Sequence, residues 1–410
     1  MTTELNKSAL SNQALRIAQS TSVLDELERN LRVQGFSGDT TIPKLVFLTA
    51  ISRNLPEPVS MVVMGSSGSG KSYAVNSGLQ FIPEKDVVRL SGMSDHFLAY
   101  AGKYDLRNKV LFLGEAAGLS EGNGRTFLRQ LLTDGEIRHS TVQKTKDGMK
   151  AEMLDTVKGP VAFIMTTTAG KIHHEDQSRM LQLNVSEDRD KTREALLNMA
   201  RGKTKTTVSL DLSPWHEFVA KVAEHNHKVE IPYAGHIVDH LPLDNPKIHR
   251  DFQKVLTLIQ TCALVHMFSR ETNKEGAIIA SEDDYRTVYG LTKSALEEGL
   301  EESVSPGVRE VVEGVRDIIE ENRGKYHDGV SQSVLAESIG RNRSLVSRNA
   351  YIAEKAGYLE NKTPGKGREA HLVLGDRRLP RGSVLPAPDI LFTDHMDDPY
   401  MKFVAQQDNA

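Results

Sequence analysis

A short run of glycines and hydroxyl side chains, residues 65–72, has the composition of a phosphate-binding loop. It matches the pattern G-x-x-x-x-G-K-[ST] in full. In such a loop the glycines let backbone N–H groups point at phosphate oxygens, the lysine reaches the β- and γ-phosphates, and the last hydroxyl binds Mg²⁺. The predicted binding residues are Gly65, Ser66, Ser67, Gly68, Ser69, Gly70, Lys71, Ser72 and the adjacent Tyr73. We therefore expect ATP and Mg²⁺ as ligands, with Lys71 also serving catalysis.

A second stretch, Lys109 to Glu115, is an apolar run that ends in an acid. This is the pattern of a buried parallel strand that delivers a carboxylate to the nucleotide. Glu115 is the predicted group that polarises the attacking water, and with Ser72 it is a candidate metal ligand. The preceding position, where such strands usually carry an aspartate, is Gly114, so the way in which Mg²⁺ is held stays open. The alternative for Glu115 is an ordinary acid at a strand end.

Further strands must place these groups at one edge of a sheet. The loop follows an apolar strand at 59–64 and precedes a helix, and apolar runs at 86–90, 161–165 and 181–185 predict additional strands. Thr167 ends one of these runs, where a small polar side chain can sense the nucleotide. Arg179 stands just before the last run, where it can reach the γ-phosphate of a neighbouring subunit; a plain surface arginine is the alternative.

An inserted segment, residues 137–157, predicts a β-hairpin, because alternating residues flank an Asp-Gly turn at 147–148. Three lysines lie at its tip: Lys144, Lys146 and Lys150. A solvated hairpin end is the plain interpretation. A hairpin inserted into an ATPase core is also able to enter a central pore and contact DNA phosphates.

The second half of the chain is mainly helical. Long amphipathic patterns at 215–225, 246–268 and 281–302 predict a helical lid, and Arg250 lies in the first turn of the second pattern as a candidate second sensor. An exposed helix arginine is the alternative for Arg250. From residue 306 the order of helices and strands is that of a winged helix. Its candidate DNA-binding residues are Arg343, Arg348, Lys366 and Arg368. A winged helix that contacts protein is the alternative.

Composition limits the classes that remain. The chain has 410 residues, 39% hydrophobic and 26% charged, as in an ordinary soluble protein, and its net charge of −4 requires any nucleic-acid contact to be local. A single cysteine, Cys262, excludes an internal disulfide and fits the cytoplasm. No apolar run is long enough to predict a membrane span.

Taken in order, these features resemble the MCM-like AAA+ helicases of bacterial mobile elements and the helicase half of phage-type primase–helicase proteins. The stretches PVSMVVMGSSGSGKS, TTTAGKIHHEDQSRMLQLNV and IHRDFQKVLTLIQTCALVH carry the resemblance. It implies that Lys71, Ser72 and Glu115 act on the subunit's own nucleotide, that Arg179 is an arginine finger and Arg250 a second sensor, and that the lysine hairpin lines a pore. It also implies a ring, a hexamer in this family, with a separate primase or initiator as partner.

The predicted architecture is α/β, with five segments: a helical lead-in at 1–44, an AAA+ P-loop ATPase core at 45–205, a helical lid at 206–304, a winged helix at 305–378 and a tail at 379–410. The expected function is that of a ring-forming DNA helicase in replication of a mobile element or phage. Two alternatives stay open: an ATP-switched initiator or loader that does not unwind DNA, and a defence-type ATPase.

Overall fold

The computed structural model falls into two compact units. Unit 1 comprises residues 1–240, 249–295 and 385–410, and unit 2 comprises 241–248 and 296–384. The structure describes residues 10–115, 122–145, 148–168, 173–185, 210–225, 227–243, 247–301, 304–322, 324–365, 368–379 and 383–393, with isolated positions between 189 and 200. The helices are α1 Asn12–Ala18, α2 Val23–Val33, α3 Thr41–Ser52, α4 Lys71–Leu79, α5 Asn123–Asp134, α6 His174–Gln177, α7 Ser213–Ala223, α8 Ala234–Asp239, α9 Ile248–Val265, α10 Glu282–Glu301, α11 Pro306–Glu321, α12 Gln332–Ser338, α13 Arg343–Lys355 and α14 Pro388–Thr393. The strands are β1 Ser60–Met64, β2 Val87–Leu90, β3 Lys109–Leu113, β4 Glu136–Ile137, β5 Ser140–Thr145, β6 Gly148–Met153, β7 Val157–Lys158, β8 Val161–Thr167, β9 Leu181–Asn184, β10 Val229–Glu230, β11 Ile278–Ile279, β12 Val330–Ser331, β13 Leu359–Asn361 and β14 His371–Leu374.

Unit 1 is built on a five-stranded sheet in the order β2-β3-β8-β1-β9. All neighbouring strands in it are parallel. The predicted parallel sheet is therefore confirmed, and β8 lies between the strand that precedes the glycine-rich loop and the strand that precedes Glu115. Because all five strands run the same way, the loops after β1, β3 and β8 meet at one edge of the sheet, here called the carboxyl edge. The opposite edge is called the amino edge.

Helices cover both faces of this sheet. Side chains that alternate along β1, β3 and β8, such as Val62, Leu111 and Phe163, pack with α5 in one apolar core. On the other face α3 and α4 pack together and against β1. At Gly78 of α4 a Cβ would lie 2.6 Å from the Pro43 carbonyl oxygen of α3, so only glycine permits this close approach. The inner strands β1, β3 and β8 are buried on both faces, which explains their continuous apolar sequences.

The remaining helices of unit 1 pack into the same body. α7, α9 and α10 correspond to the predicted patterns at 215–225, 246–268 and 281–302, and a short parallel pair, β10 and β11, was not predicted. Trp215 of α7 is buried and lies edge-on to Phe47 and Phe81, which ties this helix to α3 and to the end of α4. Of the helices described, none combines the length and apolarity that a membrane span requires.

The described part of residues 379–410 departs from the predicted tail. Residues 383–393 end in α14, with Leu385 and Leu391 buried. The Tyr285 hydroxyl donates to the Pro386 carbonyl at 2.7 Å, and Phe392 contacts Tyr233 and Tyr285 edge-on. The prolines and acids suggested an extended tail, but the apolar side chains between them bury against α8 and α10.

Unit 2 consists of α11, α12 and α13 with an antiparallel sheet in the order β12-β14-β13. Its core contains Val311 and Val315 of α11, Leu335 of α12, and Val346 and Ala350 of α13. A left-handed glycine, Gly340 at φ 65°, separates α12 from α13. The three helices and β14 correspond to helices and a strand predicted within residues 305–378, whereas the short strand β12 was not predicted.

A buried polar network in unit 1 joins α2, α9 and α10. Ligand atoms of Cys262, His266 and Asp284 lie within 4.8 Å of one another, close enough to suggest a metal site. However, Nε2 of His266 accepts from the Val23 N–H at 3.2 Å, and its Nδ1 lies 2.8 Å from the Cys262 carbonyl oxygen and must donate to it. Neither nitrogen has a lone pair left for a metal, and Asp284 is bound by Arg270 at 2.7 Å. We therefore assign this group a structural role.

The same network predicts a loss of stability in acid. Burial holds the pKa of His266 below its ordinary value and Arg270 lowers it further, against the opposing effects of the Cys262 carbonyl and of Asp284. The unfolded chain, with a pKa of about 6.5, therefore takes up the proton first, so stability present above that pH is lost as the pH falls below it. Urea unfolding at about pH 7.5 and about pH 5.5 should show this loss, with a slope of at most about 1.4 kcal/mol per pH unit from this group. The His266→Gln protein should show a smaller slope; an unchanged slope would assign the effect to other groups.

Candidate nucleotide-binding site

The glycine-rich loop lies at the carboxyl edge of the sheet, between β1 and α4. Gly68 and Gly70 have φ values of 81° and 89°, which favour glycine, and nothing lies within 4 Å of a Cβ built at either. Nζ of Lys71 donates to the carbonyl oxygens of Gly65 and Ser66 at 2.9 and 2.5 Å, so the amine is held inside the loop. The side chain is 8% exposed. The Lys71 amine is thus the one charged group within this loop, and the groups around it are neutral.

The chemistry of the loop fits a triphosphate with Mg²⁺. The first turn of α4 leaves its N–H groups without helical partners, and such groups bind phosphate. Ser72 occupies this turn with an exposed side chain, so its hydroxyl is available to a metal. Ser69 Oγ is buried and has no hydrogen-bond partner in the described structure, as expected of a group that contacts a ligand. Tyr73 is 59% exposed and stacks on Phe36, with ring centroids 5.4 Å apart.

Glu115 and Thr167 lie at the same edge. Glu115 is exposed and follows β3 by two residues. The register places Thr167 beside Met64, the residue before Gly65, and the Thr167 side chain is buried. Thr166, which sequence reasoning passed over, donates through Oγ1 to the Gly114 carbonyl and so fixes the backbone next to Glu115. The run Thr166–Thr168 was the available signal, but the sequence does not reveal which member bonds to β3.

Arg179 and Arg250 lie at the amino edge instead. β9 begins at Leu181, which pairs with Met61, whereas the N–H of Val185, four residues later, bonds to Met64 beside the loop. Arg179 is therefore about 13 Å or more from the chain's own loop along the strand direction. Its side chain donates to Thr133 Oγ1 at 3.2 Å and to the Glu175 carbonyl at 2.7 Å. Arg250 donates to Ser178 Oγ, one residue from Arg179.

A set of ion pairs holds this arginine pair in place. Arg129 of α5 bonds to Asp176 at 2.6 Å and also to Glu175, both of which lie in α6. The buried Lys254 amine donates to the carbonyls of Ser178 and Met180 at 3.1 and 3.3 Å. These residues were not predicted; they are distant in sequence and carry no motif. They fix the turn that presents Arg179.

The charges at this turn are unbalanced. Burial lowers the pKa of Arg179, and the neighbouring cations Arg250 and Arg129 lower it further, against a smaller opposite effect of Asp176 and Glu175. The guanidinium still carries its charge at neutral pH, since arginine remains protonated in proteins. The cluster is therefore a site that an added anion would stabilise.

The candidate DNA-binding residues occupy two places. Lys144 and Lys150 are exposed on β5 and β6, the predicted hairpin. In unit 2, Arg343 and Arg348 are exposed on α13, and Arg368 is exposed ahead of β14. Arg343 also pairs with Glu369 at 3.0 Å, so part of its charge is compensated. Lys146 and Lys366 lie outside the described residues.

Comparison with known proteins agrees with this geometry. A family model described as the MTBMA_p00010 P-loop domain matches residues 11–212. The chain carries a P-loop ATPase domain. An uncharacterized protein of Methanothermobacter marburgensis is 26% identical over 292 residues, which are 66% of this chain and 35% of that protein. The chain thus spans about a third of the length of this relative.

Two solved structures were also found by their shape. The RuvB Holliday junction branch migration motor of Thermotoga maritima has a TM-score of 0.30 and 17% identity, over 88% of this chain and 96% of that one. A variant of the same motor has a TM-score of 0.28 and 15% identity over the same shares.

Proposed function

We propose that this P-loop ATPase is an AAA+ motor that assembles as a ring, a hexamer by its family resemblance, and moves along DNA as a helicase in the replication of a mobile element or phage. The observation that carries the proposal is the position of Arg179. Among the residues that the structure describes, the Arg179 guanidinium forms no ion pair; it donates to Thr133 Oγ1 and the Glu175 carbonyl and lies near the cations Arg250 and Arg129. A phosphate of the neighbouring subunit's nucleotide would supply an anionic partner.

Each subunit would supply the rest of the site from its carboxyl edge. Lys71 would bind the β- and γ-phosphates, the Ser72 hydroxyl would bind Mg²⁺, and Glu115 would take a proton from the attacking water. Thr167 would contact the nucleotide or that water as first sensor. Because Gly114 stands where such strands usually carry an acid, Glu115 would also be the carboxylate for the metal.

Arg250 would act together with Arg179. The resemblance implies a second sensor in the helical lid. Since Arg250 bonds to Ser178, its guanidinium lies beside Arg179 and away from its own P-loop. In the proposed ring both arginines face the same neighbouring nucleotide, so loss of either is expected to affect hydrolysis at the interface.

DNA contact is assigned to two elements. The hairpin of β5 and β6 carries Lys144 and Lys150, and the sequence pattern adds Lys146 to the same group. Unit 2 has the helix and strand order of a winged helix, in which α13 would enter a groove through Arg343 and Arg348, and Lys366 and Arg368 would touch phosphates. A separate primase or initiator is the expected partner.

A strand-displacement assay tests the proposal. With ATP, the protein should release the labelled strand of a forked DNA duplex, and DNA should raise its ATPase rate. The Lys71→Ala protein, which lacks the loop cation, is the matched control and should do neither. DNA-stimulated ATPase without strand release would favour an ATP-switched initiator or loader. An ATPase rate that DNA does not change would favour a defence-type assembly.

A further inference from the structure

The hairpin of β5 and β6 has two chemically different faces. Its strands pair only with each other among the described strands. Val142 lies opposite Ala151, Lys144 opposite Met149, and Ser140 opposite Met153. Opposed residues share a face and successive residues alternate, so these six side chains lie on one side. We call this side the methionine face.

The methionine face is apolar and open to solvent. Val142, Met149 and Met153 are 58, 77 and 71% exposed. Large apolar side chains rarely gather on an exposed surface unless a partner covers them, and a lone two-stranded hairpin is marginally stable without one. The hairpin therefore presents a surface that an apolar ligand would stabilise.

Charge separates the two faces further. Lys144 stands on the methionine face and forms no ion pair with any described residue, and no acid shares that face. On the other side Lys150 shares its face with Glu152, two residues along the strand, so the two charges balance. The unbalanced charge of the hairpin thus sits among its apolar side chains, with Met149 directly across from Lys144.

We infer that the methionine face binds the bases of single-stranded DNA, with Lys144 on an adjacent phosphate. This inference rests on the proposed function as a DNA motor. It adds which parts of the DNA strand, the bases and a phosphate, contact the hairpin. Flat rings and a phosphate, one next to the other, match apolar side chains beside an unpaired cation, and methionine sulfur contacts aromatic rings favourably. A duplex hides its bases.

Binding to two strands of equal length tests the inference: a thymidine oligonucleotide and an abasic strand with the same phosphates. The protein is used with a non-hydrolysable ATP analogue, and affinity is measured by fluorescence anisotropy. The double variant Met149→Gln, Met153→Gln should bind the thymidine strand about tenfold more weakly, the size expected of two methionine–ring contacts, and the abasic strand as before. Lys144→Ala should weaken the binding of both strands, and by more than the matched Lys150→Ala does.

Oxidation of methionine gives a second readout. Bound thymidine strand should slow the oxidation of Met149 and Met153 by peroxide, measured by mass spectrometry, and the abasic strand should protect them less. Equal protection by both strands, or an equal effect of the methionine variants on both, would overturn the base contact and leave the motor intact. Altered sedimentation of the methionine variants without DNA would assign the face to a second copy. Failure of the unmodified protein to bind either strand would instead contradict the proposed function.

Discussion

Replacing Glu115 with glutamine is expected to lower the ATP turnover by about 10²–10⁴-fold, while ATP binding stays at the wild-type level. The amide has nearly the same shape as the carboxylate but cannot accept a proton from water. Glu115 is exposed at the carboxyl edge, and Thr166 bonds to the Gly114 carbonyl beside it, so the substituted side chain should keep its position. Steady-state phosphate release and calorimetric titration with ATP measure the two quantities separately.

Two further variants serve as controls for this result. Lys71→Ala should lose binding itself, because the amine that Gly65 and Ser66 hold in the loop is the cation nearest the phosphates. Glu84→Gln makes the same chemical change ahead of β2, at the amino edge, and should leave turnover unchanged. Among the described residues its carboxylate forms an ion pair with the exposed Arg89 alone. Normal turnover by the Glu115→Gln protein would mean that another group activates the water.

The sequence could predict the carboxyl edge because its groups lie within or next to continuous patterns. The P-loop is eight consecutive residues, and the strands before it and before Glu115 are uninterrupted apolar runs of a sheet buried on both faces. In a parallel sheet such runs place their following residues at one edge, whatever the order of the strands. For the same reason the three long helices after the core were visible from their periodicity.

The amino edge could not be predicted in this way, since its contacts join distant segments. Arg250 bonds to Ser178, which is 72 positions away in the sequence, and Arg129 bonds to Asp176, which is 47 positions away. The presence of an arginine in the sequence does not indicate which residue its side chain will contact. The docking of residues 383–393 on Tyr285 was hidden similarly, because short apolar contacts between prolines resemble a linker. The alternating pattern of the hairpin could be recognised in the sequence. The pairs of residues that lie opposite each other could not, because they depend on the register of the two strands.

The Arg179→Ala protein is expected to bind ATP normally and to hydrolyse it about 10³-fold or more slowly, the size expected of a lost arginine finger. The reason is geometric. Arg179 lies at the amino edge, fixed by Thr133 and the Glu175 carbonyl, while the P-loop of the same subunit lies at the carboxyl edge. Arg107→Ala is the matched control and should retain full turnover. It removes an exposed arginine whose one ion pair in the described part of the chain is with Asp105.

Mixing two inactive proteins distinguishes a shared site from a damaged one. Arg179→Ala subunits keep an intact P-loop, and Lys71→Ala subunits keep an intact arginine, so an interface between the two kinds contains one complete site. The mixture should therefore recover part of the ATPase rate, rising to a maximum at an intermediate ratio, while each protein alone stays inactive. Turnover by the unmodified protein should also fall on dilution as the subunits separate. A monomer that hydrolyses ATP at the full rate would place the catalytic arginine elsewhere and remove the main support for a ring.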